Sequence, residues 1–293
     1  MDKNALKNLI IVFVIYSLSL LFIGRQLSFI PQIKFGGGKK INAAASDLRK
    51  NVLSKFLKGE SGSYSIYYKD LVSGEEFGID ENRMSTAASL NKMPIVAYLY
   101  NRAGKGKINL EDKIVIQKDD IQDYGTGSLR YQKPGLSYSL KTLTKLMLEQ
   151  SDNTAAHVLG IRLGIDNIQS YIRGLGLIST NMINNKTTAA EQGKIWELIY
   201  TRKITTEALT RELLDFSRDT DFEDRIARDL PSGVAVSHKA ADGVGFVHDG
   251  GVIVDGERKF ILIVMASDIQ STDKAKETIG KIAKFVYDRN ASE

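Results

Sequence analysis

Strand-like and helix-like patterns follow one another in an order that leaves few possible folds. Two segments with strand spacing precede a long block of helical spacing, and three more strand-like segments follow it. Strands from both ends of the sequence can pair as one five-stranded antiparallel sheet, with terminal helices on one face. The middle block would form an all-helical lobe, with a cleft beside the sheet. The sequence therefore predicts a mixed α/β fold of the α+β kind.

Hydrophobic spacing and turn or capping residues define the segments behind this prediction. The predicted strands are Ser63–Leu71, Phe77–Ile79, Val234–His238, Phe246–Val254 and Lys259–Ala266. The predicted helices are Asp47–Leu57, Ser89–Asn101, Ser139–Gln150, Asn153–Leu163, Ile165–Gly174, Thr187–Tyr200, Thr206–Phe216 and Asp273–Tyr287.

An uncharged apolar run, Leu9–Ile23, stands near the N-terminus and predicts a membrane-targeting segment. No small-residue cleavage site follows it, so we expect an uncleaved anchor over residues 1–24; a cleaved signal peptide and a buried core helix are the alternatives. Residues 25–40 are expected to form a basic linker, and residues 41–293 the folded domain. Basic residues after the run would favour a cytoplasmic domain by count, but large domains translocate largely regardless of such charges. We expect a membrane-anchored, extracytoplasmic domain.

Composition excludes several classes of site. The chain contains no cysteine, which excludes disulfides, thiolate metal sites and a cysteine nucleophile. Its histidines, His157, His238 and His248, lack metal-ligand spacing, so we expect no metal and no other cofactor. The formal charge of +5 comes from 40 basic and 35 acidic residues that are interspersed. That pattern is typical of a solvated surface, and we expect no nucleic-acid partner.

Ser89 and Lys92 are spaced as S-x-x-K at the start of a helical segment. This spacing places both side chains on one helix face, where the N-terminal N–H groups could bind an oxyanion. Burial near another cation would lower the pKa of Lys92 and let it accept the serine proton. The same spacing recurs at Ser271 and Lys274, where polar neighbours indicate an ordinary helix cap. Small and apolar neighbours make Ser89 the better candidate nucleophile, although the spacing alone fits both a catalytic and a structural role.

Ser151, Asp152 and Asn153 stand at the junction of two predicted helices. All three residue types also act as helix caps, so a purely structural role is open. In a catalytic interpretation, Ser151 relays a proton to the leaving group, and Asn153 holds Lys92 and the substrate amide.

Lys239 lies with Ala240 and Ala241 where a predicted strand ends. A lysine on an edge strand is commonly just solvated. Facing a cleft, it would instead attract a substrate carboxylate and lower the pKa of Lys92. Both interpretations are open from the residues alone.

Taken in this order, the three elements resemble the active-site serine enzymes that recognise penicillin. Class A β-lactamases carry S-x-x-K, S-D-N and K-T-G in the same sequence order. The resemblance covers most of Ile41–Tyr287. It implies a β-lactamase/transpeptidase-like fold and an acyl-enzyme mechanism.

The resemblance also implies a role for each motif residue. The catalytic set would be Ser89 as the acylated nucleophile, Lys92 as its base and Ser151 as the proton relay. The substrate-binding set would be Asn153, Lys239 and Asp242, whose backbone N–H would complete an oxyanion hole with that of Ser89.

Two features depart from the family pattern. K-T-G is replaced by Lys239-Ala240-Ala241, which removes a hydroxyl that helps to bind a substrate carboxylate. No acidic residue occurs between Asp166 and Glu191, so the E-x-x-x-N segment of the family's Ω-loop, with its deacylating glutamate, is absent. Acylation could still proceed through the lysine, but hydrolysis of the acyl-enzyme should be slow.

These residues together predict a membrane-tethered serine hydrolase or acyltransferase. Its substrate would be a β-lactam or a peptidoglycan-like amide or ester. One alternative is a cell-envelope scaffold that keeps the fold but has lost turnover. Another is a cell-wall D,D-peptidase, which shares the first half-reaction.

Overall fold

Strands from the two ends of the sequence form one five-stranded antiparallel sheet in the computed structural model, which describes residues 43–289. The strand order is β2-β1-β9-β8-β7, and every neighbouring pair is antiparallel. The strands are β1 (Ser63–Asp70), β2 (Glu76–Ile79), β7 (Ala235–Gly243), β8 (Phe246–Asp255) and β9 (Arg258–Ser267). The predicted sheet is confirmed.

The remaining elements are helices and two short strand pairs. The α-helices of the described part are α1 (Ala43–Val52), α2 (Lys92–Gly104), α3 (Leu140–Glu149), α4 (Asn153–Leu163), α5 (Ile165–Gly174), α6 (Ala189–Tyr200), α7 (Glu207–Phe216) and α8 (Thr272–Arg289). The short strands are β3 (Ser85–Thr86), paired with β6 (Lys186–Thr187), and β4 (Lys113–Val115), paired with β5 (Ser137–Ser139).

Strand β9 shows how the sheet joins two hydrophobic cores. Successive side chains of a strand point to opposite faces, and both faces of β9 are buried. Ile261 and Ile263 pack into the core shared with helices α2 to α7. Leu262 and Val264 pack into the core beneath α1 and α8. The terminal helices therefore cover one face and the helical lobe the other, as the sequence predicts.

The predicted end of strand β7 is wrong. The strand continues through Lys239 and the two alanines to Gly243, instead of ending at His238. Ala240 and Ala241 are buried and pair with Asp249 and His248 of β8. Because the small apolar side chains of Ala240 and Ala241 can be buried in the sheet, the strand continues through them, and Lys239 lies inside β7.

The predicted anchor, residues 1–24, and the predicted linker, residues 25–40, lie outside the described residues. Within residues 43–289, no helix combines the length and the apolar character needed to cross a membrane.

Candidate active site

A cleft of about 400 Å³ lies where the helical lobe meets strand β7. Five of the predicted site residues line it: Ser89, Lys92, Ser151, Asn153 and Asp242. The other lining residues are Ala88, Tyr124, Gly125, Thr126, Asn185, Phe222 and Ala240. Most of the predicted set is therefore brought together from three separate regions of the chain.

Ser89 lies in a 3-10 turn, Ala88–Asn91, that leads directly into α2. Ala88, just before the serine, has φ of 44°, a left-handed conformation that is unfavourable for a residue with a Cβ atom. Lys92 begins α2 one turn later and is only 6% exposed. The tight turn thus holds the hydroxyl at the cleft while the lysine lies beneath it.

The ammonium nitrogen of Lys92 is the centre of the hydrogen-bond network. Its Nζ lies 3.2 Å from Ser89 Oγ, 3.0 Å from Ser151 Oγ and 2.9 Å from Asn153 Oδ1, and it also donates to the backbone oxygen of Ser151. Ser151 Oγ donates to Ser89 Oγ at 2.8 Å. Two of the Lys92 partners, the Ser151 carbonyl and Asn153 Oδ1, can only accept. A neutral amine could donate to both and direct its lone pair at the hydroxyls.

Burial is the main reason that the pKa of Lys92 lies well below its ordinary value. The nearby positive charge of Lys239 lowers this pKa further, while the carboxylate of Asp152 acts in the opposite direction. A lowered pKa increases the fraction of neutral amine at neutral pH. Lys92 therefore has the chemistry of a general base toward Ser89.

The loop before α4 fixes Ser151 and Asn153. Asp152 is the N-cap of α4: its carboxylate accepts from Ala155 N at 2.9 Å, and also from Leu129 N at 2.8 Å. Ser151 has φ of 53°, so this junction is strained as well as capped. The capping interpretation is confirmed for Asp152, which positions its two neighbours, while the catalytic roles of Ser151 and Asn153 stay predictions.

The turn Gly125–Gly127 packs against the Ser151 loop so closely that two of its positions have room only for glycine. A Cβ atom on Gly125 would lie 2.2 Å from Asn153 Nδ2, and one on Gly127 would lie 2.2 Å from Asp152 Oδ2. Both glycines also have positive φ, which side chains disfavour. The Gly-Thr-Gly turn can therefore pack directly against the Ser151 loop, and Thr126 Oγ1 donates to the Ser151 carbonyl at 2.9 Å.

Lys239 lies beneath the cleft instead of on its surface. Its side chain is 1% exposed, its Nζ donates to Ala240 O at 2.9 Å, and the Phe222 ring lies 5.3 Å from that nitrogen. Burial, with a contribution from Arg225, lowers the pKa of Lys239 to about 7, against the opposing effect of Asp249. Lys239 is therefore neither solvated at a strand edge nor among the residues that line the cleft, so both predicted positions are wrong. Its predicted role in binding a substrate carboxylate stays a prediction.

Asp242 lines the cleft and is paired with a buried arginine. Arg225 Nη2 donates to Asp242 Oδ2 at 3.0 Å, and the arginine side chain is 1% exposed while that of Asp242 is 36% exposed. Arg225 Nε binds Asp224 at 2.8 Å. The cation is therefore behind the carboxylate as seen from the cleft. The predicted role of the Asp242 backbone N–H in an oxyanion hole stays a prediction.

A buried histidine holds the segment that carries Phe222 and Arg225. His238 Nδ1 lies 2.8 Å from Asp249 Oδ1, and its Nε2 lies 3.0 Å from Glu223 Oε1. Burial lowers the pKa of His238, but the two carboxylates outweigh it and raise this pKa to about 9. An imidazolium between two carboxylates thus ties the segment to β7 and β8.

Asn185 contributes a neutral amide to the cleft. It lies in the short loop before β6, lines the cleft, and its Oδ1 accepts from Asn91 Nδ2 at 3.0 Å. Its φ of 51° is tolerated by asparagine better than by most residues. Among the described residues that line the cleft, the only carboxylate is that of Asp242.

Sequence reasoning missed Asn185, Phe222 and Arg225. Asn185 had a weak signal, since an Asn-Asn pair favours a turn with positive φ. Arg225 lies in a stretch of mixed charge that resembles a solvated surface, and only the fold shows that it is buried.

Known proteins resemble this chain in sequence and in fold. A model of the beta-lactamase enzyme family matches residues 47–290. The β-lactamase VEB-1 of Pseudomonas aeruginosa is 23% identical over 230 residues, which cover 68% of this chain and 76% of VEB-1.

Solved structures share the fold. PBP-A matches with a TM-score of 0.79 and 22% identity over 85% of this chain and 97% of PBP-A; a PBP-A variant has been solved as an acyl-enzyme complex with penicillin G. A β-lactamase from Sphaerobacter thermophilus matches with a TM-score of 0.75 and 23% identity over 84% of this chain and 97% of its own.

Proposed function

The chain belongs to the beta-lactamase enzyme family and is a serine hydrolase of that family; from this premise we propose that it forms an acyl-enzyme at Ser89. The acyl donor is a β-lactam or a peptidoglycan-like amide or ester. The contacts of Lys92 Nζ with Ser89 Oγ, Ser151 Oγ and Asn153 Oδ1 carry this proposal. A buried lysine whose pKa is lowered and whose nitrogen contacts a hydroxyl in a cleft fits a group that transfers protons.

Acylation follows from these contacts. The neutral Lys92 amine takes the Ser89 proton as Oγ attacks the carbonyl carbon, and the C–O bond forms as the carbonyl π electrons move to oxygen. The backbone N–H groups of Ser89 and Asp242 would bind that oxyanion, each donor contributing about 3 kcal/mol in the transition state. When the C–N or C–O bond breaks, Ser151 donates its proton to the leaving atom and recovers one from the Lys92 ammonium. Asn153 keeps the lysine in place and can bind the substrate amide.

Slow deacylation is the second part of the proposal. Water must be deprotonated as it attacks the ester at Ser89, and a glutamate is the accepted base for this step in class A β-lactamases. The one carboxylate among the described residues that line the cleft, Asp242, is already bound to Arg225. Asn185 offers an amide, which cannot take a proton. The acyl-enzyme should therefore persist, or transfer its acyl group to a better nucleophile than water.

We also propose that the domain is tethered to a membrane and lies outside the cytoplasm. The apolar run Leu9–Ile23 supports the tether, and an acyl donor of cell-wall type supports the location.

A non-catalytic envelope protein is the second candidate. The burial of Lys239 and the loss of the K-T-G hydroxyl favour it, because both weaken the binding of a substrate carboxylate.

A chase experiment tests the proposal. The protein is labelled with a fluorescent penicillin, excess unlabelled penicillin is added, and the labelled band is followed on a denaturing gel. Label that forms and persists for many minutes supports an acyl-enzyme with slow deacylation. Label that disappears within seconds contradicts slow deacylation, and absence of label from folded protein favours the second candidate.

A further inference from the structure

Strand β7 forms one end of the cleft, and this end presents the carboxylate of Asp242 but no exposed positive charge among the described residues. Ala240 and Asp242 are the residues of β7 that line the cleft. Ala240 contributes a methyl group, and Asp242 contributes a carboxylate whose side chain is 36% exposed. Asp242 Oδ1 takes no hydrogen bond from the described residues, whereas Oδ2 is bound to Arg225. A ligand group at this end therefore meets a free carboxylate oxygen.

Arg225 cannot offset that carboxylate at the surface. Its side chain is 1% exposed, its Nε and Nη2 bind Asp224 and Asp242, and the Phe222 ring lies 5.5 Å from its guanidinium carbon. Its Nη1 is buried too and has no partner among the described residues. Because the guanidinium lies behind Asp242, a ligand in the cleft meets the negative end of the ion pair first.

The lysines of the site give no accessible positive charge either. Lys239 is buried, and its Nζ is used on the carbonyl of Ala240. Lys92 is 6% exposed and is surrounded by acceptors on the Ser151 loop. The other polar lining groups, those of Tyr124, Thr126, Asn153 and Asn185, are neutral.

We propose that Asp242 makes this cleft selective for acyl donors whose group beside β7 is neutral or cationic, such as an amide, an ester or an amine, over donors that carry a carboxylate there. This inference rests on the proposed acylation of Ser89 and defines the substrate class for that reaction. A carboxylate at this position faces like charge and no free donor, whereas an N–H or ammonium group can bind Asp242 Oδ1 directly.

A matched series of three β-lactams tests the inference. Penicillin G, its methyl ester and its 2-aminoethyl amide share one lactam ring, and their side group carries a negative, a zero and a positive charge. The second-order rate constant for acylation of the full-length protein is measured for each by intact mass. Each value is divided by the rate of alkaline hydrolysis of the same compound, which corrects for ring reactivity.

For the wild-type protein, the ester and the amide are expected to acylate about tenfold faster than penicillin G after this correction, since a like charge in partial contact with solvent has an effect of this order. Added salt should reduce the difference, because screening weakens the repulsion. This comparison needs no variant.

Asp242→Asn removes the negative charge, keeps the side-chain shape and leaves the backbone N–H in place. It should raise the rate with penicillin G about tenfold relative to the rate that the same variant shows with the ester, so that the ratio of the two rates approaches one. Asp166→Asn, an exposed carboxylate on α5, is the control for net charge and should change neither rate.

Three results would overturn the inference: penicillin G reacts fastest with the wild-type protein, added salt leaves the size of the rate difference unchanged, or Asp242→Asn slows penicillin G. The first or the last would show that Arg225 leaves Asp242 and binds the substrate carboxylate. Failure of the underlying acylation is distinct, since none of the three compounds would then add to the protein, or all would add without Ser89.

Discussion

Ser151 Oγ lies 2.8 Å from Ser89 Oγ, although the two residues are 62 positions apart in the sequence. Lys92 Nζ lies within 3.2 Å of both hydroxyls, so the three groups form a closed triangle. A proton that leaves Ser89 can therefore reach Ser151 through one amine.

Loss of the Ser151 hydroxyl should affect the leaving group most. In Ser151→Ala, Lys92 keeps its contact with Ser89, but no group donates a proton to the departing nitrogen or oxygen. We expect acylation by an amide substrate to fall about 100-fold or more, the usual contribution of a general acid. A thioester, whose leaving group needs no proton, should lose much less. Ser232→Ala, an exposed serine distant in sequence from the motifs, is the control. Equal losses for amide and thioester would contradict the relay role.

Lys239 should determine the pH at which the acylation rate begins to fall on the acidic side. Its positive charge lowers the pKa of Lys92, and its own pKa is lowered to about 7. In Lys239→Met the pKa of Lys92 should rise, so less neutral amine is present at a given pH. The acidic limb of the acylation rate should therefore move to higher pH, with the largest loss below pH 7, where Lys239 is charged. A pH–rate profile with a fluorescent penicillin measures this, with Lys107→Met as the control. A limb that stays in place, or moves to lower pH, would show that the two lysines are not coupled in this way.

A carboxylate at position 185 should speed release of the acyl group. Asn185→Asp keeps an acceptor for Asn91 Nδ2 and adds a base to the cleft that can deprotonate water. We expect the lifetime of the acyl-enzyme to fall about tenfold or more. Asn184→Asp introduces the same charge next to it in the sequence, at a position that does not line the cleft. If both variants release the acyl group at the wild-type rate, the lack of a carboxylate at position 185 does not limit deacylation.

His238 should stabilise the fold in a pH-dependent way. Its pKa is about 9 in the folded protein and 6.5 in the unfolded reference. A raised folded pKa means that the stabilisation is complete below pH 6.5 and is lost as pH rises through about 9. The lost stabilisation is on the order of 3 kcal/mol.

Urea unfolding of wild type and His238→Gln between pH 7 and 10 measures this effect. The difference in free energy of unfolding should shrink as pH rises. The lowered pKa of Lys239 acts in the opposite direction, but that lysine is present in both proteins. A difference that is constant or grows with pH would contradict a charged His238.

The sequence predicts the part of the site that depends on short spacings. Ser89 and Lys92 are one helical turn apart, and Ser151 and Asn153 flank a cap residue, so local geometry places each pair before any tertiary contact forms. The sequence also predicts the sheet, because a short uninterrupted apolar run such as Phe260–Ala266 in β9 is typical of a strand buried on both faces.

The other part of the site depends on register and long-range packing. His238 and Asp249 meet because β7 pairs with β8, and a sequence does not show which residues of two strands are opposite each other. The sequence predicts a strand end at His238 and Lys239, because charged residues are rarely buried. In the structure both residues are buried, and His238 contacts Asp249 of β8 and Glu223 of the segment that carries Arg225. Residue spacing in the sequence does not predict this burial.

Acylation of Ser89 is the step on which the other proposed steps depend, and intact mass spectrometry detects it. Full-length wild-type protein and Ser89→Ala are incubated with penicillin G, and the mass of each is followed over time, with thermal unfolding to show that both are folded. We expect the wild-type protein to gain the mass of one penicillin G and to keep it for many minutes, and Ser89→Ala to gain nothing. An adduct of the same mass and yield on Ser89→Ala would show that Ser89 is not the acylated residue.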